Sequence, residues 1–215
     1  SVSFGNMFLG GKNLSFSAEG LPSSLSLESS TGKISGNLGN ETVGDHKINL
    51  TVSDQNGKTF TVPFNLIVNN TNDAPVLAAV SDSSTDEDSA FSYQLQATDI
   101  DMDVVDETLT YEAVEKPEWM SLSSTGLLTG TPLNNHVGSH NITVQVTDSL
   151  GVSDTKTFTL TVNNTNDAPV LAVISDSSTD EDSAFSYQLT ATDIDMDVVD
   201  ETLTYEAVEK PGWMS

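Results

Sequence analysis

The chain has 215 residues, 36% of them hydrophobic, with 32 aspartates and glutamates against seven lysines, no arginine and a formal net charge of −25. That charge argues against phosphate backbones and anionic membranes as partners. The absence of cysteine removes disulfides and thiolate metal sites, so a bound metal would be held by oxygen, which points to calcium before zinc. No run approaches the roughly 18 apolar residues of a membrane span, and the first residues lack the charged and apolar regions of a signal peptide.

Residues 1–70 hold "LSFSAEGLPSSLSLESSTGKISG" from Leu14 and "INLTVSDQNGKTFTVPFNLIVNN" from Ile48, which parallel "LTYEAVEKPEWMSLSSTGLLTG" from Leu109 and "ITVQVTDSLGVSDTKTFTLTVNN" from Ile142. They read as a diverged module lacking its first strand. Residues 71–164 form a complete module. Within it, Phe91, Tyr93 and Leu95 alternate with polar residues, as do Leu109 and Tyr111, then Ile142, Val144 and Val146, then Phe158, Leu160 and Val162. Period two predicts strands with one buried face. Turn signals lie between the runs, at Ser124–Gly126, Asp148–Gly151 and, in the first module, Asp54–Gly57. Residues 165–215 repeat 71–121 with 47 identities in 51 positions and read as the N-terminal half of a third, truncated module. The chain stops at "PGWMS", the middle of the preceding repeat, as a fragment of a longer protein would. No helical periodicity appears, so the fold class is all-β. A period of 94 residues suits tandem Greek-key β-sandwich modules joined end to end.

Between Lys58 and Lys116 there are 12 acidic residues and no basic one, and between Lys156 and Lys210 there are again 12 and none. Two carboxylates about 4 Å apart repel by about 4 kcal/mol at an effective dielectric of about 20. A module that gathers several therefore needs distance or a cation. Three clusters are candidates: "DED" at Asp86–Asp88, "DIDMD" at Asp99–Asp103 and the linker "NNTNDAP" at Asn69–Pro75. In an extended segment, positions i and i+2 point the same way, so Asp99 and Asp101 would face one ion at about 2.3–2.6 Å. Linker carbonyls would complete the about six to eight oxygens that calcium takes. Asp82, Asp106, Glu107, Glu112 and Glu115 read instead as solvated surface charge.

These residues carry a resemblance. "TNDAPV", "EDSAF", "ATDID" and "LPSSLSLESSTGKISG" resemble the linker, early acidic strand, D-x-D and mid-domain signature of cadherin-like modules, the dystroglycan-type cadherin and immunoglobulin-like repeats of large secreted bacterial adhesins. The resemblance covers essentially the whole chain and implies calcium at the junctions between consecutive modules. It assigns the first junction to Asn72, Asp73, Asp99, Asp101 and Asp148. It assigns the second to Glu87, Asn166, Asp167, Asp193 and Asp195. Where the first module's own D-x-D should fall, Phe8–Asn13 read "FLGGKN", which implies no calcium site at its upstream end. Asn69 and Asn163 stand where animal cadherins carry an aspartate, and no "DRE"-like triplet is present. Fewer anionic ligands imply a dissociation constant of roughly 10⁻⁴ to 10⁻³ M.

Other features weigh less. Trp119 and Trp213 in "KPxWMS" read as core rather than as sugar platforms, and His46, His136 and His140 as surface residues rather than zinc ligands. The N-x-S/T triplets at Asn13, Asn40, Asn49 and Asn141 carry little weight for glycosylation. No G-x-S-x-G or serine–histidine pattern supports a hydrolase. The sequence thus reads as a non-enzymatic, extracellular, calcium-rigidified stalk repeat of a bacterial surface adhesin serving cell or biofilm adhesion. Its partners would be calcium, neighbouring modules of the same chain, and a polysaccharide or like copy. The rivals are a polysaccharide-binding module using Tyr111 and Trp119, and a calcium-free, salt-adapted spacer.

Overall fold

A computed structural model describes residues 13–212. The expectation about residues 8–12 and the reading of Trp213 therefore fall outside the described residues. Every regular element among them is a β-strand or a short 3-10 turn. The chain divides into two compact units: one of residues up to Val76 with Ala97–Leu109 and Thr147–Asp154, the other of Leu77–Gln96, Thr110–Val146 and Thr155–Ser215.

In the first unit, Ser15–Glu19, Gly44–Ser53 and Thr59–Val68 form an antiparallel sheet in that order. Leu25–Glu28 pairs with Lys33–Gly36 in a hairpin. Ile48 is buried, while Phe16, Ala18, Leu25, Leu27 and Ile34 are half-buried. Pro63 lies in the outer of these strands, where a missing N–H costs no interior ladder bond. At the same position of the next copy, 94 residues on, the chain has Thr157, and there the strand is central.

The second unit is built on a four-stranded sheet ordered Thr110–Glu115, Gly138–Thr147, Ser153–Asn163, Ser83–Asp86. Its last pair is parallel, with Leu160 opposite Ser83. An antiparallel sheet ordered Met120–Leu122, Leu127–Gly130, Phe91–Gln94 accompanies it. Ile142, Val144 and Val146 alternate inward from one strand, Phe158, Leu160 and Val162 from its neighbour, and all six are buried with Leu77, Leu95, Met120 and Leu128. The same parity carried one step past the strand end reaches Asp148, which is also buried. An acidic residue thus follows the strand directly, on the side to which its alternation points.

The two near-identical stretches do not fold alike. Ser83–Asp86 and Phe91–Gln94 are strands, whereas residues 177–180 and 185–188, of the same sequence, are not. Val170–Leu171 pairs with Ala191–Thr192, but Phe185, Tyr187 and Tyr205 are exposed. The difference is non-local. Ser83–Asp86 hydrogen-bonds to Leu160–Asn163, and Phe91–Gln94 to Leu127–Gly130; neither partner has a counterpart among described residues beyond 164. Strand propensity without a partner strand leaves backbone groups to water.

Phe91 packs edge-on against Trp119 with ring centroids 6.5 Å apart, whereas Phe185 is 41% exposed. Phe91→Ala is expected to cost about 2 kcal/mol or more, and Phe185→Ala less than about 0.5 kcal/mol. Chemical denaturation of the two variants checks this; equal costs would contradict the fold described.

Candidate metal centres

The first cluster is assembled by backbone and amide donors. Asp99, with extended φ −135° and ψ 134°, caps the 3-10 turn Ile100–Asp103, and its Oδ1 accepts the Asp101 N–H at 2.9 Å. The extended D-x-D expected from sequence is therefore replaced by a capped turn, because an aspartate at that position satisfies an otherwise orphan N–H. Asp101 is fully buried; its Oδ2 accepts the Asp73 N–H at 2.6 Å and its Oδ1 the Asn40 Nδ2 at 3.1 Å. Asp148 Oδ1 accepts the Leu150 and Val152 N–H groups at 2.9 and 2.8 Å, and its Oδ2 the Asn72 Nδ2 at 2.8 Å. The equivalent turn at Asp54 uses the same geometry, with the Asn56 and Lys58 N–H groups both at 2.9 Å.

Glu107 completes this cluster. It is 7% exposed, receives Ser149 Oγ at 3.2 Å, and offers an oxygen within 4.8 Å of oxygens of Asp99 and Asp101. Burial pushes its carboxyl above the ordinary range; the Ser149 bond opposes this, and the charges of Asp99, Asp148 and Asp101 add to it. The Asn72 hydrogen bond holds Asp148 below its ordinary range against the cost of burial. Oδ2 of Asp99 and Oε2 of Glu107 are buried without a hydrogen-bond partner.

The second cluster repeats the first 94 residues later and adds an acid from the preceding copy. Asp193 Oδ1 accepts the Asp195 N–H at 3.1 Å, Asp195 Oδ2 the Asp167 N–H at 2.6 Å, and Asp195 Oδ1 the Asn134 Nδ2 at 2.9 Å. Glu87 is 1% exposed, and its Oε1 accepts the Thr165 N–H at 2.8 Å. Glu87, Asp88 and Asp167 bring oxygens within 4.8 Å of one another, as do Asp193, Asp195 and Glu201. Burial raises the Glu201 carboxyl above its ordinary range, with Asp193 and Asp195 adding to it. Glu87 Oε2 and Asp193 Oδ2 are buried and unpartnered.

Two successive copies thus contribute to each cluster. Asp73, Asp99, Asp101, Asp148 and Asn72 converge in the first; Glu87, Asp167, Asp193 and Asp195 converge in the second. Asn166 donates to the Asp167 carbonyl at 2.8 Å and no bond ties its side chain to the acids. Asp82, Asp106, Glu112 and Glu115 are exposed, but Glu107 is not, because the turn after Asp103 returns it to the cluster. Asn40 and Asn134 lie in loops where the two copies differ, yet the asparagine recurs at the 94-residue spacing. That recurrence was the sequence signal for them. Glu107 and Glu201 had none, since everything around them repeats.

The histidines are not scattered surface groups. His136 and His140 are half-buried with rings 6.2 Å from Trp119. His140 Nε2 lies 2.6 Å from the His136 carbonyl, and His46 Nε2 2.6 Å from the Thr42 carbonyl, so these rings brace the loops that carry Asn134 and Asn40.

The sequence pattern of the family described as Putative Ig domain matches residues 5–69 and 74–163. No curated protein matches the chain. Among solved structures, EC21-23 of human CDH23 resembles it at 19% identity and TM-score 0.59, covering 84% of this chain and 68% of that one. EC22-24 of mouse cadherin-23 follows at 23% and 0.52, covering 71% and 53%. EC1-2 of human mucin-like protocadherin is at 19% and 0.51, covering 71% and 84%. The chain spans 24–40% of the length of the first solved chains it matches. These likenesses establish the fold: all-β, tandem Ig-like and cadherin-like sandwich modules.

Because its folded pKa is raised, Glu107 favours folding only when protonated, and that contribution is lost as pH rises through the folded value. In chelator at neutral pH, Glu107→Gln should therefore raise the melting temperature, and the gain should vanish below about pH 4.5, the ordinary glutamate value. Melting curves across pH check the sign.

Proposed function

The chain belongs to the Putative Ig domain family, and from that premise we propose that it is a calcium-rigidified spacer, a stalk repeat of a secreted bacterial surface adhesin that supports cell or biofilm adhesion. The observation that carries this reading is the burial of acids without a base. Glu87, Asp101 and Asp195 are at most 1% exposed, and Asp99 and Glu107 7%, and the charges acting on Glu107 are all negative. Burying an ionised carboxylate costs several kcal/mol unless it is neutralised. A surface kept acidic only for hydration would leave its carboxylates in water.

The donor set suits calcium: carboxylate oxygens, with no sulfur and no histidine among them. Asp99, Asp101, Glu107, Asp73 and Asp148 would hold ions in the first cluster, and Glu87, Asp88, Asp167, Asp193, Asp195 and Glu201 in the second. A bound divalent ion supplies the positive charge that the sequence withholds. The second cluster takes acids from two successive copies, so its ion would fix one copy against the next; in the first, the preceding copy reaches the acids through the Asn40 bond to Asp101. The role is mechanical, not catalytic. Near-exact duplication of a 51-residue stretch fits a part whose use is length. No helix among the described residues is long and apolar enough to cross a membrane, and an extracellular location accords with weak, millimolar-range calcium affinity.

With a dissociation constant of about 10⁻⁴ M, calcium at about 1 mM, roughly ten times that value, should stabilise the protein by about 1.4 kcal/mol per site. The melting temperature of the full chain should rise in millimolar calcium relative to chelator, and solution scattering should report a stiffer particle. Asp99→Asn with Asp101→Asn should abolish most of the first cluster's share while the chain stays folded. Identical melting curves in calcium and chelator would remove the reading.

A further inference from the structure

One side chain of the second cluster has a double use. Asn164 stands between two buried acids, and with its nitrogen turned toward them it donates to Glu87 Oε1 and Asp195 Oδ1, both at 3.1 Å. The two ends of a carboxamide have the same shape, so the opposite orientation puts Oδ1 at those same distances. Two ligands about 2.4 Å from a calcium ion and about 80° apart lie about 3.1 Å from each other. One position therefore fits a hydrogen-bond bridge in one orientation and a coordination sphere in the other.

We infer that Asn164 is a reversible placeholder for the cation. Without an ion, its NH2 group bridges Glu87 and Asp195 and keeps them from separating; with an ion, the amide turns by about 180° and Oδ1 joins the ligands. The inference rests on the calcium reading for its second half only. The rotation turns the NH2 group toward donors, a cost that the attraction of the cation for Oδ1 must exceed. Asp195 keeps the Asn134 Nδ2 at 2.9 Å and the Asp167 N–H at 2.6 Å, and Glu87 keeps the Thr165 N–H at 2.8 Å, so neither acid needs Asn164 for its orientation once a cation compensates the charge. Glu87 Oε2 and Asp193 Oδ2, buried and unpartnered, are further oxygens a cation would satisfy. The corresponding residue of the first copy, Asn70, 94 residues earlier, has its Oδ1 buried without a hydrogen-bond partner, which is the state expected of an amide oxygen kept for a cation.

An aspartate at this position would be a stronger ligand but could not bridge two carboxylates, since it has no donor at neutral pH. Asparagine gives up affinity for a site that stays assembled when calcium is low. The test uses the full chain carrying Asn164→Asp or Asn164→Leu, melted in chelator and titrated with calcium by calorimetry. Asn164→Asp should lower the chelator melting temperature while tightening calcium binding about tenfold or more; Asn164→Leu should lower both stability and affinity. Asn164→Leu adds no charge, so a fall in its chelator melting temperature reports loss of the NH2 bridge rather than added repulsion, and an unchanged value overturns the bridge. An Asn164→Asp chain as stable as wild type in chelator overturns the bridge, and one with unchanged calcium affinity overturns the rotation. If the unmodified chain takes up no calcium, the calcium reading fails, and the bridge is still judged by the chelator melting temperature.

Discussion

The structure depends on buried carboxylates that are faced by N–H and O–H donors rather than by basic side chains. Asp101 takes a backbone N–H on one oxygen and an asparagine amide on the other, and Asp195 does the same. Charge-assisted bonds of this kind are stronger than neutral ones, and here they replace the lysine or arginine that would ordinarily accompany a buried acid. Asn40, Asn72 and Asn134 each carry a donor into an acidic cluster without adding a permanent charge. The neutralisation is partial, since one oxygen each of Asp99, Glu107, Glu87 and Asp193 is left without a bond.

The sandwich serves these clusters directly. The strand that packs Ile142, Val144 and Val146 into the core ends by placing Asp148 inside, so the alternation that builds the core also delivers a ligand candidate to its end. The loop carrying Asn134 is braced by His136 and His140 around Trp119. Packing fixes the strand ends, and the strand ends fix the acids to within hydrogen-bond distance.

Much of this was legible in the chain itself. Period-two alternation marked the strands, the spacing of 94 residues marked the modules, and the lack of basic residues between Lys58 and Lys116 marked the acidic clusters. The pairing of Asp99 with Asp101 was also legible, though for the wrong local reason, because alternation along a strand and capping of a turn both bring residues i and i+2 together. Glu107 was not legible. Its neighbours are acidic in the same way, and only the path of the chain after Asp103 separates it from Asp106, which stays exposed.

The sequence by itself determined the raw chemistry: an all-β chain, no thiolate ligands, a large excess of carboxylates over basic groups, and a stretch repeated at a spacing of 94 residues. The tertiary structure decided which acids are buried and which strands exist at all. The second decision is plainest where 47 of 51 residues are the same, yet Phe91–Gln94 is a strand and residues 185–188 are not. A helix closes its hydrogen bonds within its own segment, but a strand must find them in another part of the chain. Sequence can state the preference, and only the presence of the partner can satisfy it.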